Sequence, residues 1–204
     1  MMKLPGVYTL LVLAGLSAAQ TPDGFTPSVT PHLDVIFGTK EVTPGLSLTK
    51  SDTARAPTIG LKTEPNGTYV WMMIDLDAST NPFNPKQGKP ATYLHTVLRD
   101  FKASGQKTDS GVFTLSTRAT GPVAWFVSRP RSPLICMAPA PPAENPPHPH
   151  RYTHLLWAQP ENWVIPQAAQ TQLQSGKTGF NVASFQKAAG LADPIAGNYF
   201  NQTG

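Results

Sequence analysis

Two carboxylates, Asp75 and Asp77, end an apolar run that begins at Thr68. The run is rich in β-branched and aromatic residues, which predicts a strand covered on both faces. Because side chains alternate along a strand, residues two apart point to the same side, and the two acids are expected to lie together. Burying such a pair is costly unless it meets donors, a metal ion or a protonated imidazole. A solvated turn is the alternative interpretation.

His95 is the first imidazole that such a pair can meet. It lies inside the predicted strand Tyr93–Arg99, where Tyr93, His95 and Val97 are expected to share one face. A histidine on a mostly apolar strand is more often a satisfied core residue than a ligand. His95 therefore indicates a site only in combination with other polar groups.

A second histidine cluster lies at His148, His150 and His154, with Tyr152 between the last two. On a strand, His150, Tyr152 and His154 would point the same way. Three histidines together with Asp75 suggest a metal site. Their spacing matches no recognised zinc pattern, however, so we predict neither a metal site nor a cofactor.

Nucleophilic and phosphate-loop motifs are missing from the sequence. There is no G-x-S-x-G elbow and no G-x-x-x-x-G-K loop, and Cys136, the only cysteine, lies in an apolar run that favours burial. The remaining imidazole, phenol and backbone N–H donors suit a small phosphate or carboxylate anion. An acid touching such a ligand would repel it, so the aspartates are expected to orient a histidine from behind. Catalysis stays open, with His95 or His150 as the possible general base.

The whole chain has 204 residues and a formal net charge of +4 at pH 7, without the basic tract that would indicate nucleic-acid binding. Residues 1–19 combine a cation, an apolar run and small residues before Gln20, which is typical of a cleaved signal peptide. No apolar run approaches the roughly 20 residues of a membrane helix. Sequons at Asn66 and Asn201 fit the secretory route. We expect one domain over 20–204, secreted or held in the lumen of the secretory pathway.

Strand patterns dominate the rest of the chain, separated by Pro- and Gly-rich segments. Only one helix is well marked: Asn181 can cap it, Val182 and Phe185 lie three apart, and Gly190 can end it. We therefore predict a mainly β fold of two packed antiparallel sheets, a β sandwich with a few peripheral helices. Further strands are predicted at 33–37, 46–48, 112–115, 123–127 and 151–157.

In their order along the chain, these segments resemble the phosphatidylethanolamine-binding protein family. The resemblance covers about residues 30–200 and implies two packed sheets with a small anion-binding pocket at one end. Four motifs carry it: Val70–Ser79; Tyr93–Leu98 with its histidine; Pro141-Pro142 leading to His150-Arg151-Tyr152; and Asn181–Phe185 followed by Asp193–Phe200.

The family resemblance also implies site residues and functions. Members bind phosphate-bearing headgroups, some inhibit kinases or serine carboxypeptidases, and some fungal members are associated with the coupling of maleic anhydride units into maleidrides. Binding of a small anionic ligand is the first hypothesis, an accessory enzyme of fungal secondary metabolism the second and serine carboxypeptidase inhibition the third, with a protein partner possible. Carried over by position, the residues that line or support the pocket are Asp75, Asp77, His95, Pro142, His150 and Tyr152.

Two stretches depart from the family's pattern. The usual Asp-Pro-Asp-Ala-Pro is Asp75-Leu76-Asp77-Ala78-Ser79 here, and the glycine-rich stretch before His-Arg-Tyr is replaced by the longer, proline-rich stretch 143–149. Proline fixes its own φ and restricts the residue before it, so this second stretch is expected to be stiff. We expect the protein's own ligand specificity to lie in these two places.

Overall fold

One curled, open sheet organises the chain in this computed structural model, which describes residues 18–81, 83–117 and 138–204. The order across the sheet is β2-β1-β4-β7-β6-β5-β8-β9-β3, and all neighbours are antiparallel except β3 and β9. Within the described residues, two helices and a short 3-10 turn at Pro85–Gln87 accompany the sheet. The elements are β1 (Asp34–Phe37), β2 (Lys40–Glu41), β3 (Leu46–Ser47), β4 (Thr58–Leu61), β5 (Tyr69–Ser79), β6 (Pro90–Lys107), β7 (Phe113–Thr117), β8 (Pro149–Ala158), α1 (Gln167–Ser175), α2 (Val182–Ala188) and β9 (Ala196–Thr203).

The mainly β class is confirmed, but in place of two packed sheets the described strands form one continuous hydrogen-bonded sheet. Strand β6 joins the two halves, because it pairs with β5 up to Phe101 and with β7 from the same residue onward. Positive φ angles at Asp100 and Gly105 and a register shift after Ala103 bend this strand. Bulges of this kind increase local twist, so the sheet curls around the bend and stays connected.

The central strand β5 is covered on both faces, as its apolar run predicted. Trp71 and Met73 point to the inner, concave side, where they pack with residues from β1, β4, β7 and β9. Val70 and Met72 point to the outer side. Helices α1 and α2 cover that outer side, where they pack against these two residues and against Leu155 and Trp157 of β8. The functional residues described below lie on the inner side.

The predicted late helix is confirmed as α2. Oδ1 of Asn181 accepts a hydrogen bond from the backbone N–H of Ser184 at 2.8 Å, and Gly190 follows with a φ of 65°. Helix α1 was not predicted, because only Ala169 and Leu173 are buried on that glutamine-rich segment and no apolar stripe marks it.

Most of the predicted strands are found, at β1, β3, β5, β6, β7 and β8. The strand predicted at 123–127, Cys136 and the first 17 residues lie outside the described part of the chain. Among the residues that are described, no helix is long and apolar enough to cross a membrane.

Candidate functional site

The candidate site begins with a bulge in β6. Met73 pairs with Thr96 and the next residue of β5 pairs with Leu94, so His95 is an extra residue on its strand. This residue turns its ring inward, where it meets the ring of Tyr93 with centroids 5.1 Å apart. Val97 instead packs on the outer side with Leu94. The prediction that Val97 shares a face with Tyr93 and His95 is therefore wrong, because the bulge shifts the alternation.

A buried ion pair joins β5 to β8. Nδ1 of His150 lies 2.7 Å from Oδ2 of Asp75, and the two side chains are 2% and 4% exposed. The register places Asp75 opposite Tyr152, so His150, two residues earlier on β8, lies on the same face. The other carboxylate oxygen of Asp75 accepts the backbone N–H of Asp77 at 2.9 Å. Both oxygens of Asp75 are thus engaged behind the imidazole.

Tyr152 forms the aromatic floor of the site. Its ring stacks on Phe200 with centroids 5.2 Å apart, and the edge of His95 meets it at 5.2 Å. The ring of His150 lies nearly parallel to it at 6.4 Å. Tyr152 is 1% exposed, so its ring lies in the core and packs against both imidazoles from the interior side.

Burial shifts the pKa values of His150 and Tyr152 in opposite directions, whereas the charge of Asp75 raises both. Burial lowers the pKa of His150, but the hydrogen bond and charge of Asp75 and the charge of Glu144 more than compensate, so its pKa is raised. Burial, followed by the charge of Asp75 and a hydrogen-bonding contact with it, raises the pKa of the Tyr152 hydroxyl. Tyr152 is therefore a neutral phenol, whereas the imidazole of His150 is arranged to hold a proton.

The second ring nitrogen of His150 is the open position of the site. Nε2 is buried and has no hydrogen-bond partner among the described residues. Oε1 of Glu144 lies 3.7 Å from it, beyond hydrogen-bond distance. A buried polar atom without a partner is rare in proteins and calls for an explanation such as a bound ligand.

Asp77 makes a separate ion pair at the edge of the site. Its two oxygens accept Nε and Nη2 of Arg151 at 2.8 and 2.7 Å, and Oδ2 also accepts the backbone N–H of Arg151. Burial raises the pKa of Asp77, but the side-chain and backbone hydrogen bonds from Arg151 lower it by a larger amount. The net shift of this pKa is therefore downward. The two acids expected to act together thus bind successive residues of β8, His150 and Arg151.

Pro142 belongs to the segment that leads into β8. Nε2 of Gln202 donates to the carbonyl of Pro139 at 3.2 Å and ties the start of this segment to β9. The carbonyl of Pro142 lies so close to Gly204 that any side chain at that glycine would collide with it. The segment is therefore packed along β9 on its way to Glu144 and His150.

The comparisons with known proteins agree with this architecture. The family described as phosphatidylethanolamine-binding protein matches residues 37–200. The chain belongs to this family. Among solved structures, a carboxypeptidase Y inhibitor in complex with its cognate proteinase is 19% identical, with a TM-score of 0.55 over 86% of this chain and 84% of that chain. A phosphatidylethanolamine-binding protein from Plasmodium vivax is 17% identical, with a TM-score of 0.50 over 83% of both chains.

Two fungal relatives are more similar in sequence. The phomoidride biosynthesis cluster protein N of Talaromyces stipitatus is 28% identical over 215 residues, which cover 98% of both chains. A protein of the same name from Fungal sp. is 29% identical over 155 residues, covering 73% of this chain and 60% of that protein.

The structure of this family member brings four of the six predicted residues into one cluster: Asp75, His95, His150 and Tyr152. Asp77 and Pro142 flank the cluster. His154 lies on the same inner side but deeper, stacked on Trp71, whose Nε1 donates to Nδ1 of His154 at 3.3 Å. Burial, and then the charge of His95, lower the pKa of His154 to about 3, so it is a neutral core histidine.

Three polar residues of the site were not predicted. Arg151 was missed because alternation turns it away from His150, whereas both acids were expected on the face of His150. The register shift between Asp75 and Ala78 breaks that alternation. Glu144 lies in the irregular proline-rich stretch, where no periodicity indicates which side chains turn inward. Gln202 is 1% exposed and accepts Thr53 at 2.9 Å, a contact between positions 149 apart in the chain.

The two sequons differ in their surroundings. Asn66 is exposed in the turn before β5. Asn201 is half-buried in β9, next to β3, and its Nδ2 donates to the carbonyl of Gly45 at 3.1 Å. Attachment of a glycan at Asn66 would disturb no contact of the sheet.

Proposed function

We propose that the protein binds a small carboxylate or phosphate anion beside His150 and that this binding serves a step of fungal secondary metabolism. The observation that carries the proposal is the buried Nε2 of His150, which has no partner within the described residues while Asp75 occupies Nδ1. A buried donor without a partner costs about 1–3 kcal/mol, and a bound anion would remove that cost.

Asp75 and His95 favour an anion over a neutral ligand beside His150, whereas Glu144, 3.7 Å from Nε2, opposes one. Both carboxylate oxygens of Asp75 are already engaged, so its charge stabilises the imidazole and does not face the ligand. His95 adds a second imidazole across the ring of Tyr152. Two imidazoles above an aromatic floor suit a small planar carboxylate, with charge-assisted hydrogen bonds to its oxygens.

Thermal unfolding tests this proposal directly. The protein is freed of metal with a chelator and then titrated with maleate, succinate or inorganic phosphate. A ligand at 100 times its Kd stabilises the fold by about 2.7 kcal/mol, which corresponds to roughly 5–10 °C in Tm for a chain of this size. His150→Gln and Asp75→Asn should remove the shift.

The control for this experiment is His32→Gln, since His32 is a part-exposed histidine bonded to Gln20. It should keep the full shift. An equal shift in His150→Gln and in the unaltered protein would contradict the proposal, as would the lack of any shift with all three anions.

The metabolic part of the proposal is supported by the Talaromyces stipitatus relative, named for a phomoidride biosynthesis cluster and similar over 98% of both chains. An accessory enzyme that couples maleic anhydride units is the specific form of this role. Neighbouring genes for a polyketide synthase and for citrate-synthase-like and dehydratase-like enzymes would support it. In vitro, the protein is incubated with candidate anhydride monomers, with His95→Ala in parallel. Unchanged product formation by the variant would rule out catalysis by His95.

Serine carboxypeptidase inhibition is a weaker candidate. The likeness to the carboxypeptidase Y inhibitor, at 19% identity, concerns the fold and carries no activity with it. An assay of carboxypeptidase Y with increasing amounts of this protein separates the two functions, because an anion-binding metabolic protein should leave peptide hydrolysis unchanged.

A further inference from the structure

Three metal-ligating side chains converge where the proline-rich segment meets β8. They are Glu144, His148 and His150, and one ligand atom of each lies within 4.8 Å of the others. Nε2 of His150 is 3.7 Å from Oε1 of Glu144. The sequence pattern grouped His148 and His150 with Asp75 as the acid. Glu144 was not indicated, because it belongs to the irregular segment and not to the strand that carries Asp75.

We propose that Glu144, His148 and His150 bind a zinc ion at the mouth of the candidate site. Two imidazoles and one carboxylate form the donor set of zinc sites that have three protein ligands and keep a fourth position open. Imidazole nitrogen is a better ligand for zinc than for calcium or magnesium, which prefer oxygen.

His150 is already prepared as a metal ligand. It is 2% exposed, its Nε2 has no hydrogen-bond partner among the described residues, and Oδ2 of Asp75 holds Nδ1 at 2.7 Å. A carboxylate on the far nitrogen of a ligating histidine fixes the ring and makes it a stronger ligand. The unpartnered Nε2 and the supporting carboxylate of Asp75 both indicate a ligand at His150, independently of how close Glu144 and His148 lie.

The other two ligands need only a small movement. Zinc–nitrogen bonds of about 2.0–2.1 Å place tetrahedral ligand atoms about 3.3 Å apart, and the present ligand atoms already lie within 4.8 Å of one another. Glu144 is partly exposed and His148 is exposed, so both side chains are free to rotate toward the fixed His150. His148 lies between Pro147 and Pro149, which hold the backbone extended and reduce the entropy lost on binding.

The ion would also explain how an anion tolerates Glu144. A ligand carboxylate beside Nε2 of His150 faces the charge of Glu144, whereas a divalent cation between them attracts both. Glu144 and His148 line a cleft of about 530 Å³ that also includes Phe83 and Lys86. Because the two more exposed ligands line this cleft and the buried His150 does not, we expect the open position of the ion to face the cleft. An anion bound at this open position would be the fourth ligand of the ion. This step rests on the proposed function.

Calorimetry with zinc chloride tests the site. Untagged protein is stripped with a chelator, dialysed and titrated, and one ion per chain is expected. His148→Gln and Glu144→Gln should each weaken binding about tenfold or more, and Asp75→Asn about 10–100-fold. Glu161→Gln, at an exposed acid, should bind as the unaltered protein does.

Two outcomes would overturn the zinc site. One is a protein that binds no zinc, or variants at Glu144 and His148 that bind as well as the unaltered chain. The other is a zinc absorption-edge spectrum with sulfur among the ligands, since the proposed set contains only nitrogen and oxygen. Circular dichroism of each variant separates loss of binding from loss of folding.

A second titration keeps the zinc site and the proposed function apart. Maleate or phosphate is titrated with and without saturating zinc, and zinc should raise the anion affinity about tenfold or more. Unchanged affinity would overturn the fourth-ligand step. Zinc binding without any anion binding would contradict the proposed function and support the zinc site alone.

Discussion

Nδ1 of His150 lies 2.7 Å from Oδ2 of Asp75, and neither side chain is more than 4% exposed. The two residues come from adjacent strands, β8 and β5, whose register is fixed by buried neighbours on both faces. A pair held in this way leaves the imidazole one orientation, with Nε2 as its single open atom. Anion binding and zinc binding both depend on this orientation.

Asp75→Asn should destabilise the protein more at pH 5 than at pH 9. The folded pKa of His150 is raised above its ordinary 6.5, so the stability that its charged form contributes is present below that value and is lost as the pH rises through the folded pKa. An asparagine keeps an acceptor for Nδ1 but not the charge. We expect a loss of about 1.5–3 kcal/mol at pH 5 and about 0.5–1.5 kcal/mol at pH 9.

Urea unfolding with a chelator present measures both values. Asp109→Asn, at an exposed acid, is the matched control and should cost little at either pH. A cost for Asp75→Asn that does not change between the two pH values would show that His150 carries no charge in the pair.

The ion pair of Asp77 and Arg151 should be measurable by a double-mutant cycle. Arg151 is 40% exposed, which weakens the pair by solvent screening, whereas Asp77 is 12% exposed and accepts both side-chain nitrogens. We expect a coupling energy of about 1 kcal/mol at pH 7 between Asp77→Ala and Arg151→Ala.

Acid should remove this coupling. The hydrogen bonds of Arg151 outweigh burial and lower the pKa of Asp77 below 3.8, so its contribution is present above 3.8 and disappears as the pH falls through the folded value. Repeating the cycle at decreasing pH should give a shrinking coupling energy. Coupling that is absent already at pH 7 would indicate that the pair only orients Arg151.

The centre of the site was predictable because it follows from alternation along strands. Asp75 at the end of an apolar strand, and His150 with Tyr152 two residues later on another, need only the strand period to be placed on one face. The order of the motifs along the chain then identified the family. Nothing in those arguments depends on how distant parts of the chain meet.

The rest of the site depends on long-range geometry. The bulge at His95 moves Val97 to the other face, and it arises from pairing with β5 that no local pattern encodes. The single curled sheet likewise follows from a bend inside β6. The position of Glu144, 3.7 Å from His150, is set by an irregular segment tied down through Gln202. Side chains on irregular backbone have no period from which to predict their direction.

His154 should make the protein sensitive to acid. Burial and then the charge of His95 lower its folded pKa to about 3, so between pH 6.5 and 3 the unfolded chain binds the proton and the folded chain does not. Stability therefore falls as the pH drops below 6.5, by up to about 1.4 kcal/mol per pH unit for one proton.

The variant His154→Phe isolates this effect. It costs about 1 kcal/mol at pH 7, because Nε1 of Trp71 loses its acceptor, but it removes the titrating group. Urea unfolding at pH 4, 5, 6 and 7 should give a shallower decline for the variant than for the unaltered chain. His32→Gln, at a part-exposed histidine bonded to Gln20, is the control and should leave the decline unchanged. Equal slopes for His154→Phe and the unaltered chain would contradict the prediction.

Expression of the full chain in a fungal host should test the expected signal peptide. Cleavage after the small residues Ser17–Ala19 predicts a mature protein that begins at Gln20. Amino-terminal sequencing of the protein from the medium or from a secretory compartment checks this. A product that retains residues 1–19 and stays in the cytosol would contradict the secretory assignment.

The same expression should give one glycan, at Asn66. Its side chain is exposed, whereas the amide nitrogen of Asn201 is bonded to the carbonyl of Gly45 inside the pairing of β9 with β3. A bulky sugar on that nitrogen would displace an edge of the sheet, while at Asn66 it would extend into solvent. Treatment with an N-glycosidase should increase the gel mobility of the unaltered chain and of Asn201→Gln. The mobility of Asn66→Gln should not change. A shift that is lost only in Asn201→Gln would contradict the prediction and show that strand β9 opens to accept the sugar.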